Sequence, residues 1–186
     1  MIIRRFPVVA FVVVGLVAGA TTGASAATVS PSTWAPKFCT ALEDYQTTIS
    51  DKSEQMTTAL EGVTDLSEGR AQIVSFLGEM VTAAKTAKRV IARAGDPSTP
   101  NGGKIEALFV KALDASAGIF ADAKAQAAKI SIKSKAAFAK EGKQVGVDLQ
   151  DAGDRIGKSF GGVDKLDRGK KLETAIKATP ECAFLT

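Results

Sequence analysis

Apolar side chains recur along this chain at spacings of three, four and seven residues, with polar residues between them. In the first segment, over roughly residues 33–62, the repeating positions are Phe38, Leu42, Tyr45, Ile49, Met56, Leu60 and Val63. Such a stripe is typical of an amphipathic helix that buries one face. We therefore predict a first helix here, weakened at its end by Gly62.

A second helix is predicted from Asp65 to about residue 94. Asp65, with Glu68 three positions later, has the pattern of an N-cap and its reciprocal partner. The inward positions of this helix are Leu66, Ile73, Leu77, Met80, Ala84, Ala87 and Ile91. Gly95 should stop the helix, and GDPSTPNGG (95–103) is the clearest loop in the sequence.

Three further helices are predicted after this loop. The third begins near Gly103 and is rich in alanine, which favours helix, and we place the next break at ISIKS (130–134). The fourth should end at Gly161-Gly162, and a shorter fifth should run over roughly residues 163–178. Their inward positions are Ile105, Leu108, Ala112, Ile119, Ala123, then Phe138, Val145, Leu149, Ala152, Ile156, Phe160, and finally Leu166, Leu172 and Ile176.

No strand-like alternation competes with this helical pattern. Residues 33–186 therefore predict a single all-α domain, an antiparallel helical bundle of four long helices plus a shorter C-terminal helix. Few aromatic residues and many alanines imply a slim core, and a small bundle with such a core gains from a covalent crosslink.

The N-terminal segment predicts export. Residues 1–26 combine a short positive start, a 13-residue apolar run (VVAFVVVGLVAGA) and a small-residue tail, as in a secretory signal peptide cleaved after Ala26. The run is short for a membrane span, which needs about 20 residues, although retention as an anchor is an alternative. We expect the general secretory route, a mature chain beginning at Ala27, a disordered lead over 27–32, and no membrane span after cleavage.

Charge argues against one class of partner. The chain has 24 basic and 20 acidic residues, a formal net charge of +4. Two of the basic residues lie in the predicted signal, so the mature chain has 22 against 20, a net charge of +2. With no strong basic stripe and no nucleic-acid-reading motif, nucleic-acid binding is not expected.

The two cysteines, Cys39 and Cys182, lie near opposite ends of the mature chain. An exported protein with an even number of cysteines is expected to oxidise them. The loop so closed exceeds 140 residues, and such a crosslink stabilises a fold by about 5 kcal/mol in the chain-entropy model. We predict a structural disulfide, because the spacing is not that of a redox C-x-x-C pair and no histidine is present to complete a zinc site.

The sequence contains no histidine. This removes the commonest general base and most transition-metal sites, so we expect no catalytic residues, no cofactor and no metal. A hydrolase-like enzyme that works with carboxylates alone is the minor alternative. Asp148, Asp151 and Asp154 stand three apart on the fourth helix, which leaves a weak calcium site as an alternative to a solvated acidic face.

The fourth helix also carries four glycines near one seam: Gly142, Gly146, Gly153 and Gly157. Each glycine inside a helix costs about 0.5–1 kcal/mol relative to alanine, so four of them call for a reason. We expect close packing against the alanine-rich third helix. The alternatives are a shallow groove for a ligand, or a helix that bends or opens.

Six lysines surround the predicted break between the third and fourth helices: Lys124, Lys129, Lys133, Lys135, Lys140 and Lys143. Glu141 is their only local compensation. They are either ordinary solvated lysines or a contact face for anionic cell-wall polymer or lipid headgroups.

The aromatic residues Trp34, Phe38 and Tyr45 cluster at the start of the first helix. Trp34 and Tyr45 are the only residues of their kinds in the chain. We expect burial beneath the disulfide, with a small aromatic contact surface as the alternative.

The two ends of the mature chain carry a resemblance. FCTALEDY (38–45) and AIKATPEC (175–182) resemble a pattern in exported helical proteins of high-GC Gram-positive bacteria, where a cysteine early in the first helix is matched by a terminal Pro-x-Cys. Many of those relatives are lipoproteins, whereas this chain lacks a lipid-attachment cysteine. The resemblance implies an extracytoplasmic location and a disulfide, and it supplies no active site.

These features favour a protein that binds rather than catalyses, in the cell envelope or outside the cell. The expected partner is an anionic envelope component or an exported partner protein. The alternative function is a carrier of a small apolar ligand, which would need an internal cavity lined by apolar side chains.

Overall fold

The computed structural model describes residues 28–159 and 163–185, and nearly all of them are helical. The helices are α1 (Pro31–Glu61), α2 (Leu66–Ala94), α3 (Gly102–Ala127), α4 (Lys135–Ser159), α5 (Val163–Leu166), α6 (Lys171–Lys177) and a C-terminal 3-10 helix (Pro180–Leu185). Two short strands complete them, β1 (Thr28–Val29) and β2 (Asp96–Pro97). The predicted signal peptide (1–26), the start of the lead and the Gly161-Gly162 helix stop lie outside the described residues.

Helix ends follow the capping residues. The Asp65 carboxylate accepts a hydrogen bond from the Ser67 N–H at 2.8 Å and starts α2 as predicted. Gly95 ends α2 with a φ of 83°, a left-handed conformation that favours glycine. The predicted break at 130–134 is also confirmed, because residues 128–134 are non-helical.

The lead expected to be disordered is largely part of the fold. Helix α1 begins at Pro31, two residues earlier than predicted, because Ser30 caps it by accepting the Thr33 N–H at 3.1 Å. Before it, β1 pairs in parallel with β2, Thr28 opposite Asp96 and Val29 opposite Pro97. The expectation of a disordered 27–32 was therefore wrong for residues 28–32, since two residues are too few for an alternating strand pattern to be visible.

The loop between α2 and α3 is closely packed. Pro97 is among the most fully buried residues of the described chain. A Cβ added at Gly102, the first residue of α3, would overlap the carbonyl oxygen of Pro97. Only glycine, which has no Cβ, allows α3 to begin this close to the backbone of Pro97.

The predicted single fifth helix is two short helices. A turn after α5 reverses the chain, and Lys170 in it has a φ of 50°. The Asp167 carboxylate accepts the N–H groups of Leu172 and Glu173, at 3.0 and 2.9 Å, and so caps α6. After this break, α6 and the 3-10 helix contact α1, and Cys182 reaches Cys39.

The helices pack as neighbours in chain order. Helix α1 lies against α2, α2 against α3, and α3 against α4, while α6 and the 3-10 helix return to α1. The predicted all-α bundle closed by one disulfide is confirmed. No polar or charged side chain in the described part of the chain is buried.

Buried apolar residues form two clusters at opposite ends of the bundle. The disulfide-end core consists of Trp34, Ala35, Phe38, Cys39, Ala41, Ala87, Ile91, Ala94, Ile105, Leu113, Leu172 and Cys182. The far-end core consists of Leu77, Ala123, Ala127, Ile130 and Val145, with the half-buried Ile73, Val74, Phe76, Phe120, Phe138 and Leu149 against it. The two cysteines lie in the disulfide-end core, and the six lysines singled out in the sequence lie near the far-end core.

Candidate functional site

The disulfide end is closely packed around buried side chains. Cys39 and Cys182 are bonded, with Cα atoms 5.1 Å apart and both residues fully buried. Trp34 stacks on Phe38 with ring centroids 4.3 Å apart, and Phe38 meets Phe109 edge-on at 4.5 Å. The disulfide prediction is confirmed, and the aromatic cluster fills the core as expected.

Tyr45 lies at the margin of this core. Burial raises the pKa of its phenol, and a hydrogen bond with Ser116 opposes that rise. Since Trp34 and Phe38 are at most 1% exposed, they cannot form a contact surface. The alternative reading of these three residues as an aromatic contact surface was wrong, because their rings pack inward.

The basic surface, as we call Lys124, Lys129, Lys133, Lys135, Lys140 and Lys143, lies around the turn between α3 and α4. All six side chains are exposed. The ion pairs of the described chain lie elsewhere and join Lys52 to Glu79, Lys88 to Asp114, and Glu173 to both Lys170 and Lys177. Within the described residues, the basic surface therefore has no carboxylate partner within ion-pair distance.

The turn that carries this surface is held in place from both sides. Ile130 is buried in the far-end core, and its carbonyl accepts a hydrogen bond from Arg70 Nη1 at 3.3 Å. The Ser131 N–H donates to Glu141 Oε2 at 2.7 Å. Ser134 then caps α4 by accepting the Ala137 N–H at 3.2 Å. Glu141 thus anchors the backbone of the turn, which carries Lys129 and Lys133, while Lys124 lies on α3 and the other three lysines lie on α4.

The glycines of α4 do not pack against α3. Gly142 is half-buried, and Gly146, Gly153 and Gly157 are exposed. A Cβ added at any of the four would meet nothing within 4 Å. The expected close packing was wrong, because no element among the described residues contacts these four glycine positions.

The aspartates of α4 border an acidic cleft rather than a metal site. Asp148 and Asp151 line an open cleft of about 270 Å³ together with Asp122 of α3. Asp154 is exposed and is not among its lining residues. In the described chain, no group of three His, Cys, Asp or Glu side chains is placed to hold a metal ion. Two of the three aspartates of α4 therefore line an acidic cleft, and the third lies outside it.

A second cleft lies beside the C-terminal helices, and we call it the C-terminal cleft. It has a volume of about 600 Å³ and an apolar floor of Val163, Leu172, Ile176 and Leu185. Its rim is formed by Asp167, Arg168, Lys170, Glu173 and Lys177. Bonds from Lys177 and the charges of Lys170 and Lys177 lower the pKa of Glu173, so this carboxylate stays ionised. The cleft is half open, unlike the internal cavity that an apolar carrier was expected to need.

Two exposed aliphatic residues near the lysines were not identified from the sequence. Ile132 in the turn is 42% exposed and Val147 on α4 is 41% exposed. The sequence contains a spacing pattern that could have indicated the exposure of each residue. Ile130 and Ile132 alternate in a non-helical stretch, so they face opposite sides, and Val147 follows Lys140 and Lys143 at the spacings of one helix face.

The fold and these surfaces define the class: an all-α protein closed by one disulfide, with a buried aromatic end and an exposed basic end. Comparison of the chain with protein-family models, curated proteins and solved structures gave no match. In the part of the chain that the structure describes, no helix is both long and apolar enough to cross a membrane.

Proposed function

We propose that this chain is an exported, non-catalytic binding protein that contacts an anionic component of the cell envelope or extracellular space through the basic surface. The observation that carries the proposal is the set of six exposed lysines gathered around one anchored turn, which have no carboxylate partner among the residues that the structure describes. The lack of histidine supports a non-catalytic role. The predicted signal peptide and the disulfide support an oxidising compartment outside the cytoplasm.

A polyanion binds most readily to lysine ammonium groups that are not already paired with a carboxylate. A lysine already bound to a carboxylate must break that pair before it can bind another anion, whereas these lysines need not. Each lysine near an anionic surface contributes about 1 kcal/mol, and salt screens the attraction over about 8–10 Å. Because Arg70 and Glu141 hold the turn, little ordering is needed when the lysines engage their partner.

The proposal is tested by removing charge from the basic surface. The triple variant Lys129→Gln, Lys133→Gln, Lys135→Gln in the oxidised chain 27–186 should bind immobilised polyphosphate about 100-fold more weakly, at roughly fivefold per lysine. The matched control is Lys85→Gln, Lys104→Gln, Lys111→Gln, which removes the same charge from exposed lysines elsewhere. The control should lose less than about threefold.

Equal losses in the two triple variants would contradict the proposal, because binding would then follow net charge alone. Absence of binding by the unmodified chain to both polyphosphate and anionic lipid vesicles at low salt would contradict it as well. An acidic protein partner, the other expected class, would be indicated if the chain captured an acidic protein from its own host and polyphosphate failed to displace it.

A second candidate function is the transport of a small apolar ligand. The observation that favours it is the C-terminal cleft, whose volume of about 600 Å³ and apolar floor suit a small molecule. Arg168 also lines this cleft and is outside the ion pairs of Lys170 and Lys177 with Glu173, so it would suit a ligand with one negative group. The site differs from the expected one, because it lies beside α6 rather than inside the bundle.

Native mass spectrometry of protein purified from its own host tests this candidate. Leu185→Glu places a charge in the apolar floor and should abolish any bound ligand mass. Phe184→Glu is the matched control, because Phe184 is similarly exposed and is not a lining residue. A ligand retained by Leu185→Glu, or no ligand in the unmodified protein, would exclude the carrier role of this cleft.

A further inference from the structure

The turn between α3 and α4 presents an aliphatic side chain among positive charges. Ile130 is 2% exposed and fixes the turn to the far-end core, while Ile132, two residues on, is 42% exposed. Lys129, Lys133 and Lys135 lie on either side of Ile132 in the chain and are all exposed. Because Ile130 is anchored, Ile132 cannot turn inward without dismantling the turn.

The outer side of α4 also combines exposed lysines with an exposed aliphatic side chain. Lys140, Lys143 and Val147 stand at positions i, i+3 and i+7, which share one face of a helix. Val147 is 41% exposed, so it lies in solvent beside the lysines rather than in the core. From Lys135 to Val147 this side of α4 is about 18 Å long at the rise of a helix, and Ile132 precedes it in the turn. Both ends of this surface are aliphatic, and lysines lie between them.

This combination favours a lipid surface over a soluble polymer. A polymer of phosphates offers charge but no apolar phase, so an exposed isoleucine gains nothing from it. At an anionic bilayer the ammonium groups meet the headgroups, and an aliphatic side chain enters the acyl boundary. Lysine stems add apolar contact while their charged ends stay in water.

The neighbouring carboxylates limit the area that an anionic bilayer can contact to this basic and aliphatic surface. Glu61, Asp65 and Glu68 are exposed at the nearby turn between α1 and α2. Asp148 and Asp151 face the acidic cleft on the α3 side of α4. Glu141 is engaged by the Ser131 N–H. A bilayer that covered the whole end would meet these acids, whereas one that rests on the α3–α4 turn and the first turns of α4 meets lysines.

We propose that the basic surface docks on an anionic lipid bilayer, with Ile132 inserted between the headgroups. This inference rests on the proposed function, whose anionic partner it specifies as lipid. Docking is peripheral, through the turn and the outer side of α4.

The test compares lipid with a soluble polyanion. The oxidised chain 27–186 is sedimented with vesicles of phosphatidylcholine alone and with about 30% phosphatidylglycerol, and its binding to polyphosphate is measured in parallel. Ile132→Ser should lower partitioning onto the anionic vesicles about five- to tenfold and leave polyphosphate binding unchanged. Val90→Ser is the control and should change neither, because Val90 is 41% exposed on α2, away from the basic surface.

A fluorescence shift tests insertion directly. Ile132→Trp should move its emission to shorter wavelength when anionic vesicles are added, and Val90→Trp should not. The native Trp34 is fully buried, so it contributes a constant background. Circular dichroism of each variant verifies that the fold is intact.

The outcomes separate the two proposals. Binding to polyphosphate without vesicle binding, or vesicle binding that Ile132→Ser leaves unchanged, overturns lipid docking and leaves the proposed function standing. Loss of vesicle binding in Val90→Ser as large as in Ile132→Ser also overturns it. Binding to neither probe overturns both proposals.

Discussion

The disulfide-end core has twelve buried residues, among them Trp34 and Phe38, whereas the far-end core has five, and its three phenylalanines are only half-buried. At the disulfide end, three long helices, α6 and the 3-10 helix meet around a crosslink. At the far end, α4 packs chiefly on α3 and exposes its outer side. Concentrating the stabilising contacts at one end leaves the other end free to carry unpaired charge.

The largest expected effect is the loss of the crosslink. Replacing both Cys39 and Cys182 by alanine should reduce the free energy of unfolding by about 5 kcal/mol, since the bond joins residues 143 positions apart. Urea titration followed by far-UV circular dichroism measures this. A loss below about 1 kcal/mol would show that contacts other than the bond hold the disulfide end.

A pair of phenylalanine truncations compares the two cores directly. Phe38→Ala removes a side chain that is 1% exposed and should cost about 3–5 kcal/mol. Phe138→Ala removes a half-buried ring at the far end and should cost about half as much or less. Thermal unfolding of both variants measures the difference. Equal costs would mean that the two ends are packed equally well.

Two glycine substitutions should have opposite signs. Gly102→Ala should destabilise the protein by about 1–3 kcal/mol, because its Cβ overlaps the Pro97 carbonyl oxygen. Gly146→Ala should stabilise it by about 0.5–1 kcal/mol, because the added Cβ meets open space and alanine favours helix. Chemical denaturation resolves both. Destabilisation by Gly146→Ala would indicate a partner for the glycine stripe of α4 and would revive its role as a groove.

The smallest expected effects concern pH. Burial, and secondarily the charge of Asp96, raises the pKa of Glu106, so the folded state binds this proton more tightly and loses stability as pH rises through that pKa. Hydrogen bonds from Ser67 lower the pKa of Asp65, so its contribution is present above its ordinary pKa and is lost on acidification.

Acidification should therefore change the contributions of Glu106 and Asp65 to the stability of the fold in opposite directions. Glu106→Gln should raise the melting temperature slightly at pH 7 and have no effect below about pH 4. Asp65→Asn should lower it at pH 7 and lose that effect in acid. Melting curves of both variants from pH 3 to 7 measure the trend. A Glu106→Gln benefit that persists in acid would point to packing rather than charge.

Helix ends could be predicted where a local side chain or a glycine determines them. Asp65 and Gly95 fix the ends of α2 through groups within a few residues, and such signals are present in the sequence. The β1–β2 pair could not be predicted, because each strand has two residues and its partner lies far along the chain. The reversal at Lys170 was equally hidden, since a lysine with positive φ leaves no mark in the sequence.

The candidate site was predicted in part. The charge of the six lysines could be read from the sequence, but their exposure and lack of partners depend on how α4 packs. The glycine stripe shows the limit most clearly. The spacing of the four glycines shows that they lie near one face of the helix. Whether another helix packs on that face depends on the tertiary structure. Among the described residues, no atom lies within 4 Å of a Cβ added at these positions.

The Cys39–Cys182 bond makes a closed covalent ring that contains all of α2, α3 and α4. A protease that cuts once in the turn 128–134 would open this ring without releasing a fragment. The nicked protein would remain one molecule until it is reduced, with the far-end core free to rearrange around the cut. In an oxidising compartment, such a ring would therefore keep the two parts of a once-cut chain covalently joined.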